Sequence, residues 1–164
     1  MFKTKFKKTM NDYIKIRNAL DRLIDAKKDL RKLGVLRSER TIGEYGEWFA
    51  EKMTGARRDD STSRKGYDLL LNGSWRIQVK SHAKGDHNNA RWTDWPYIEK
   101  VFDELVILVF NKELFLKEAY RMTFEQADSK LRRHLKNPEL KWDDCQEFKI
   151  KQYPDNLKPF ILKQ

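Results

Sequence analysis

One cysteine in 164 residues, Cys145, excludes a disulfide within the chain and fits a reducing compartment. Four prolines and seven glycines are too few for a collagen-like or low-complexity chain. No apolar run approaches the roughly 20 residues that a membrane-spanning helix requires. The first residues are basic but no apolar stretch follows them, so they do not read as a secretory signal, and a cytoplasmic protein is expected. Acidic residues are outnumbered, 25 against 35 Lys and Arg, which leaves a formal charge of +10. That excess points to a polyanionic partner, nucleic acid first, although a merely soluble basic protein would share it. Charge alone does not separate DNA from RNA.

What is present suits a folded domain. Apolar residues make up 39% and aromatics 12%, enough to fill one core in a chain of this length and too many for a disordered one. Residues 10–33 predict an amphipathic helix, because Tyr13, Ile16, Leu20, Leu23 and Leu30 fall at alternating steps of three and four. Lys27 interrupts the stripe, and Gly34 is placed to end the helix. So narrow a stripe suits one partner helix, in this chain or in a second copy. The residue pattern slightly favours a helix that covers the core.

Residues 41–53 predict a second helix, with Thr41 and Glu44 as a capping box, Trp48, Phe49 and Met53 facing inward, and Gly55 at its end. A charged loop over 56–65 follows. Residues 67–71 and 75–81 read as two strands around Asn72-Gly73, a strong hairpin signal. In the second, Trp75, Ile77 and Val79 alternate with Arg76, Gln78 and Lys80, one face buried and one polar. Residues 83–97 read as a long polar loop. The run LVILVF at 105–110 predicts a central strand. A strand over 115–122, a helix over 123–135 capped by Thr123 and Gln126, and a strand over 148–151 complete the expectation.

The chemistry lies around the hairpin. Asp68, then Gln78-Val79-Lys80, preceded by a helix with Glu44 and Glu47, can aim two carboxylates, an amide and an ammonium at one point. Carboxylates that hold a divalent cation, with a lysine beside them, serve metal-assisted phosphodiester cleavage. A plain half-exposed hairpin would show the same alternation. The hairpin makes the decisive demand. A two-residue loop would pair Asp68 with Ile77 and turn the carboxylate away from Gln78 and Lys80. Convergence needs a three-residue loop with a bulge, Gly73 being left-handed.

The segments GEYGEWFAEKMTG and RKGYDLLLNGSWRIQVKSH, spanning 43–82, resemble the PD-(D/E)xK nuclease superfamily, which has the restriction-endonuclease-like fold. The resemblance implies an α/β fold with a mixed central β-sheet flanked by helices. Residues 37–164 would form that domain, and 1–36 an N-terminal helical extension packed on it or on a partner. It implies a catalytic set of Glu47, Asp68, Gln78 and Lys80. Glu47 is preferred to Glu44 because it sits in a Gly-Glu-x-x-Ala motif similar to the family's. Tyr67 replaces the family's proline, and Gln78 replaces an acid, as in the Gln-x-Lys branches that include methylated-DNA restriction nucleases.

The expected cofactor is Mg²⁺, with Mn²⁺ able to substitute, held by Glu47, Asp68, the Gln78 amide oxygen and the Val79 carbonyl. Lys80 would stabilise negative charge at the phosphate. Because Gln78 carries no charge, a second metal would bind less well than at a three-acid site. The implied enzyme is a metal-dependent endodeoxyribonuclease, restriction-, homing- or resolvase-like, acting on double-stranded DNA as a homo-oligomer. The alternative is a catalytically inactive nucleic-acid-binding module of the same fold.

Arg57, Arg58, Arg64, Lys65 and Arg91 are candidate phosphate contacts, as are Lys3, Lys5, Lys7 and Lys8. Trp92 and Trp95 could stack on bases, but a loop pinned to the core by its aromatics explains them more simply. His82 reads as a solvated histidine. His87 and His134 lack companions at zinc-ligand spacing.

Overall fold

The structure is a computed structural model that describes residues 10–60, 66–86, 89–96, 99–134 and 136–163. The chain divides into two units, Met1–Arg37 and Ser38–Gln164. In the first, helix α1 spans Met10–Lys32 and carries exposed ion pairs such as Lys28–Asp25 at 3.0 Å. Gly34 ends it with φ 70°: its N–H reaches the Arg31 carbonyl at 2.9 Å, and the Val35 N–H reaches Leu30 at 2.9 Å. This is a Schellman cap, which requires the left-handed backbone that glycine tolerates. Tyr13, Ile14, Ile16, Leu20, Leu23 and Ile24 of α1 are exposed, from 39% at Ile16 to 57% at Tyr13, and Leu30 is half-buried.

The second unit opens with α2, Thr41–Thr54, closed by left-handed Gly55. The strands that follow are β1 (Arg57–Arg58), β2 (Leu69–Leu71), β3 (Trp75–His82), β4 (Trp92–Asp94), β5 (Glu104–Phe110), β6 (Leu116–Thr123) and β7 (Glu139–Lys141). Five of them form one mixed sheet in the order β1-β2-β3-β5-β6, in which β3 and β5 are parallel and the other pairs antiparallel. Strands β4 and β7 pair separately. The α/β class with a mixed sheet and flanking helices is therefore present.

Every residue of β5 is buried, as a continuous apolar strand covered on both faces should be. On one face Val106, Leu108 and Phe110 meet α2, whose Phe49 and Tyr45 rings lie 5.8 and 4.9 Å from Phe110. On the other, Leu105, Ile107 and Val109 join a core of Trp95, Phe102, Leu140, Trp142 and Cys145. The register puts Gln78 beside Leu105, Lys80 beside Ile107 and His82 beside Val109, so these polar residues share that second face.

Several local expectations are corrected. Arg40, not Thr41, is the α2 N-cap and no side chain caps it; Glu44 is fully buried instead. Within the polar segment 83–97, β4 forms because β7 supplies its hydrogen bonds, a partner far along the chain. The helix after Thr123 does have its capping box but stops at Ser129, and the Arg132 N–H then bonds to Glu139 (2.9 Å), drawing the chain into a bridge. The segment 148–151 makes only an isolated bridge between Lys149 and Tyr120, after a 3₁₀ helix over Trp142–Phe148.

Candidate active site

The β2–β3 hairpin has the loop that convergence demands. Leu71 pairs with Trp75 and Leu69 with Ile77, leaving three residues, 72–74, in the loop. Asn72 and Gly73 both have positive φ, 52° and 77°, and the Ser74 N–H closes the turn on the Leu71 carbonyl at 3.3 Å. Ser74 is then one residue more than the tight turn needs. It slips the register so that Asp68, just past the last pair of the ladder, lies beside Gln78.

Asp68 is held there by its own backbone. Its N–H bonds to Ile77 O at 2.8 Å and its carbonyl accepts the Asp59 N–H at 3.0 Å. Its Oδ2 accepts the Val79 N–H at 2.7 Å and the Gln78 amide Nε2–H at 2.5 Å. The same Nε2 donates to the Val79 carbonyl at 3.2 Å. One nitrogen thus lies between a carboxylate oxygen and a backbone carbonyl oxygen, at the edge where β2 leaves β3.

Lys80 sits two residues further on the same face, partly buried. Burial pulls its pKa down, and the negative charges of Asp68 and Asp94 pull against that shift. Asp94 was not anticipated from sequence. It comes from β4, which lay hidden in a polar segment, and it also acts on Lys84 together with Glu139, its partner in the register. No short-range signal marks it.

His82 is not solvated. Burial, aided by the charges of Lys84 and Lys80, pushes its pKa down to about 4, so it is neutral at pH 7. Its Nε2 is 2.8 Å from the Thr93 hydroxyl, which accepts the Trp142 indole N–H at 2.8 Å. The Trp142 ring lies 5.1 Å from the imidazole.

Glu47 and Glu44 are both buried on α2. A Cβ built on Gly46 would lie 1.7 Å from Ser81 Oγ, so only glycine lets α2 approach β3 this closely. Ser81 points away from Gln78 and Lys80 because strand residues alternate. Glu47 therefore starts from the opposite face to Gln78 and Lys80. The structure brings Asp68, Gln78, Val79 and Lys80 together directly, and puts Glu47 on the helix that packs behind them.

A hard cation fits this donor set. Asp68 Oδ2 and Val79 O already share one positively polarised partner, and turning the Gln78 amide over would add Oε1 as a third oxygen. Among the described residues no three His, Cys, Asp or Glu side chains gather into a metal cluster.

The phosphate-contact candidates separate. Arg57 is exposed on the edge strand β1. Arg58 is bound to Glu51 at 2.7 Å with its side chain only 12% exposed. Arg91 is held by two carboxylates. Its Nη1 and Nη2 bond to both Glu118 oxygens, at 3.0 and 2.9 Å, and its Nε bonds to Asp143 at 2.9 Å. The side chain keeps 20% exposure, and its bond to Asp143 lies at the surface. Trp95 is buried against Phe102 and Phe124, so the loop is pinned by its aromatics, while Lys84 lies 4.3 Å over the Trp92 ring. Arg64, Lys65, His87 and the N-terminal lysines 3, 5, 7 and 8 lie outside the described residues. No helix among the described residues is long and apolar enough to cross a membrane. No family model matches the chain, and no curated protein matches it.

Proposed function

We propose that the chain is a Mg²⁺-dependent DNA endonuclease with a restriction-endonuclease-like core, its site built from Glu47, Asp68, Gln78, Val79 and Lys80. One observation carries this reading: the extra loop residue that turns Asp68 toward Gln78, so that its carboxylate and the Val79 carbonyl flank one nitrogen with Lys80 next on the same face.

Asp68, Glu47, the Gln78 amide oxygen and the Val79 carbonyl would hold the cation. Bound there, Mg²⁺ supplies Lewis acidity toward the phosphate and makes water a better nucleophile. Lys80 places an ammonium where negative charge develops on the phosphate. Its partial burial strengthens that interaction, because little solvent screens it. Asp68 and Asp94 favour its charged form. The net charge of +10 draws in the phosphate backbone before any chemistry occurs.

Purified protein is expected to nick supercoiled plasmid with Mg²⁺ or Mn²⁺ and to lose this activity in EDTA, in Asp68→Ala and in Lys80→Ala. If wild type and both variants bind duplex DNA equally and none cleaves it, the chain is a binding module and the catalytic reading fails.

A further inference from the structure

From the helix stripe, and independently of the nuclease reading, we infer that α1 is a parallel two-stranded coiled coil formed with a second copy of this chain. Tyr13, Ile16, Leu20, Leu23, Lys27 and Leu30 follow a strict three-four alternation over the length of the helix. That spacing averages 3.5 residues, not the 3.6 of a straight helix, so the seam stays in one line only if two helices wind around each other. Ile14 and Ile24, 54% and 44% exposed, lie beside this seam. Tyr13, Leu20 and Leu23 are 57%, 45% and 54% exposed, so the stripe has surface available for a partner.

The occupant is read from the flanking positions. With Tyr13 and Ile16 as the a and d positions of the heptad, Asp12 falls at g and Arg17, Ile24 and Arg31 fall at e. In a parallel pair g faces e of the other chain, so Asp12 meets Arg17, and Ala19 lies against Ile24. An antiparallel pair would bring e positions together, arginine near arginine. Arg17 pairs within its own helix with Asp21, but both side chains are more than half exposed, and such a pair is readily exchanged. Lys27 is the single charged residue in the seam. A lone polar a position of this kind sets the register of a two-stranded coil and weakens it.

Light scattering and sedimentation of the full chain at micromolar concentration are expected to show a dimer. Leu20→Glu with Leu23→Glu should weaken it roughly 100-fold or more. These residues are exposed, so the near-ultraviolet circular dichroism of the Ser38–Gln164 unit should be unchanged. Lys27→Leu should tighten the dimer about tenfold or more. Oxidised Lys27→Cys should cross-link two chains, because equivalent a positions adjoin only in a parallel pair; the single native thiol, Cys145, is buried. A monomer, or a dimer indifferent to the double glutamate change, overturns the inference. A dimer in which the introduced thiols do not link overturns the parallel arrangement. None of these readouts requires cleavage, so they fail or succeed separately from the nuclease assignment.

Discussion

The Asp68 carboxylate stands in for a strand: its Oδ2 accepts the Val79 N–H at 2.7 Å, at the position where the β2–β3 ladder has just ended. The bond satisfies a backbone donor at the edge of the sheet and aims the carboxylate at the Val79 carbonyl side. Asp68→Asn separates the two roles. Its amide oxygen, in the place of Oδ2, can still accept both the Val79 N–H and the Gln78 amide N–H, so stability in urea should stay close to wild type. Metal-dependent cleavage should fall by about 100-fold or more, the charge at the cation being gone. Asp68→Ala should in addition cost about 1–3 kcal/mol, because the N–H loses its partner. An Asp68→Asn protein that cleaves normally would remove Asp68 from the site.

Gly46 decides how close α2 can come to β3. A methyl group there would overlap Ser81, at 1.7 Å from Oγ and 2.7 Å from Cβ. Gly46→Ala is expected to destabilise the fold by roughly 1–3 kcal/mol and to shift Glu47 away from the sheet. Adding Ser81→Gly should recover part of that loss, since it removes both clashing atoms. Urea denaturation of the two single variants and the double variant measures the coupling, and strict additivity would mean the helix does not rest on Ser81.

His82 gives the fold a pH dependence of definite sign. Its pKa falls from 6.5 to about 4 on folding, because burial penalises the charged ring. Between those values the unfolded chain holds a proton that the folded chain does not. Stability is therefore full above about pH 6.5 and declines as pH falls to about 4, by on the order of 3 kcal/mol. His82→Gln should flatten the wild-type slope over this window. Equal slopes for the two proteins in urea titrations at pH 4.5 and 7 would contradict the assignment.

Arg91 and Arg57 should respond in opposite ways. Arg91→Ala strips Glu118 of two charge-assisted bonds in a site where that side chain is only 15% exposed, and should cost about 3 kcal/mol of stability. Arg57→Ala removes an exposed charge from an edge strand and should leave the melting temperature unchanged. If Arg57 meets a phosphate, the salt slope of DNA binding falls by about one unit in that variant. Melting curves and salt titrations of both proteins would show whether the two arginines divide in this way.

Elements marked by short-range patterns were legible before any coordinates. The alternation in α1, the left-handed glycines at 34 and 55 and the capping box at Thr123 and Gln126 each rest on contacts a few residues apart, and β5 announces itself as an unbroken apolar run. Elements that exist only through a distant partner were not legible. Strand β4 looks like a polar loop until β7 pairs with it, and β1 is two arginines that become a strand only against β2. The Thr41–Glu44 pattern misled because the helix begins one residue earlier, at an Arg40 N-cap, and the Glu44 side chain is turned into the interior.

The same division runs through the site. Residue order by itself determined that Asp68, Gln78 and Lys80 share a hairpin, and that one loop residue more or fewer would bring them together or set them apart, because strand side chains alternate strictly. Which of those outcomes holds was decided by the positive φ of Asn72 and Gly73 and the extra Ser74, a matter of backbone geometry. Only the tertiary structure added Asp94 beside Lys80, buried His82 under Thr93 and Trp142, and withdrew Arg91 into an ion pair. These depend on chain segments up to some tens of residues apart meeting across a sheet, and no local pattern encodes such a meeting.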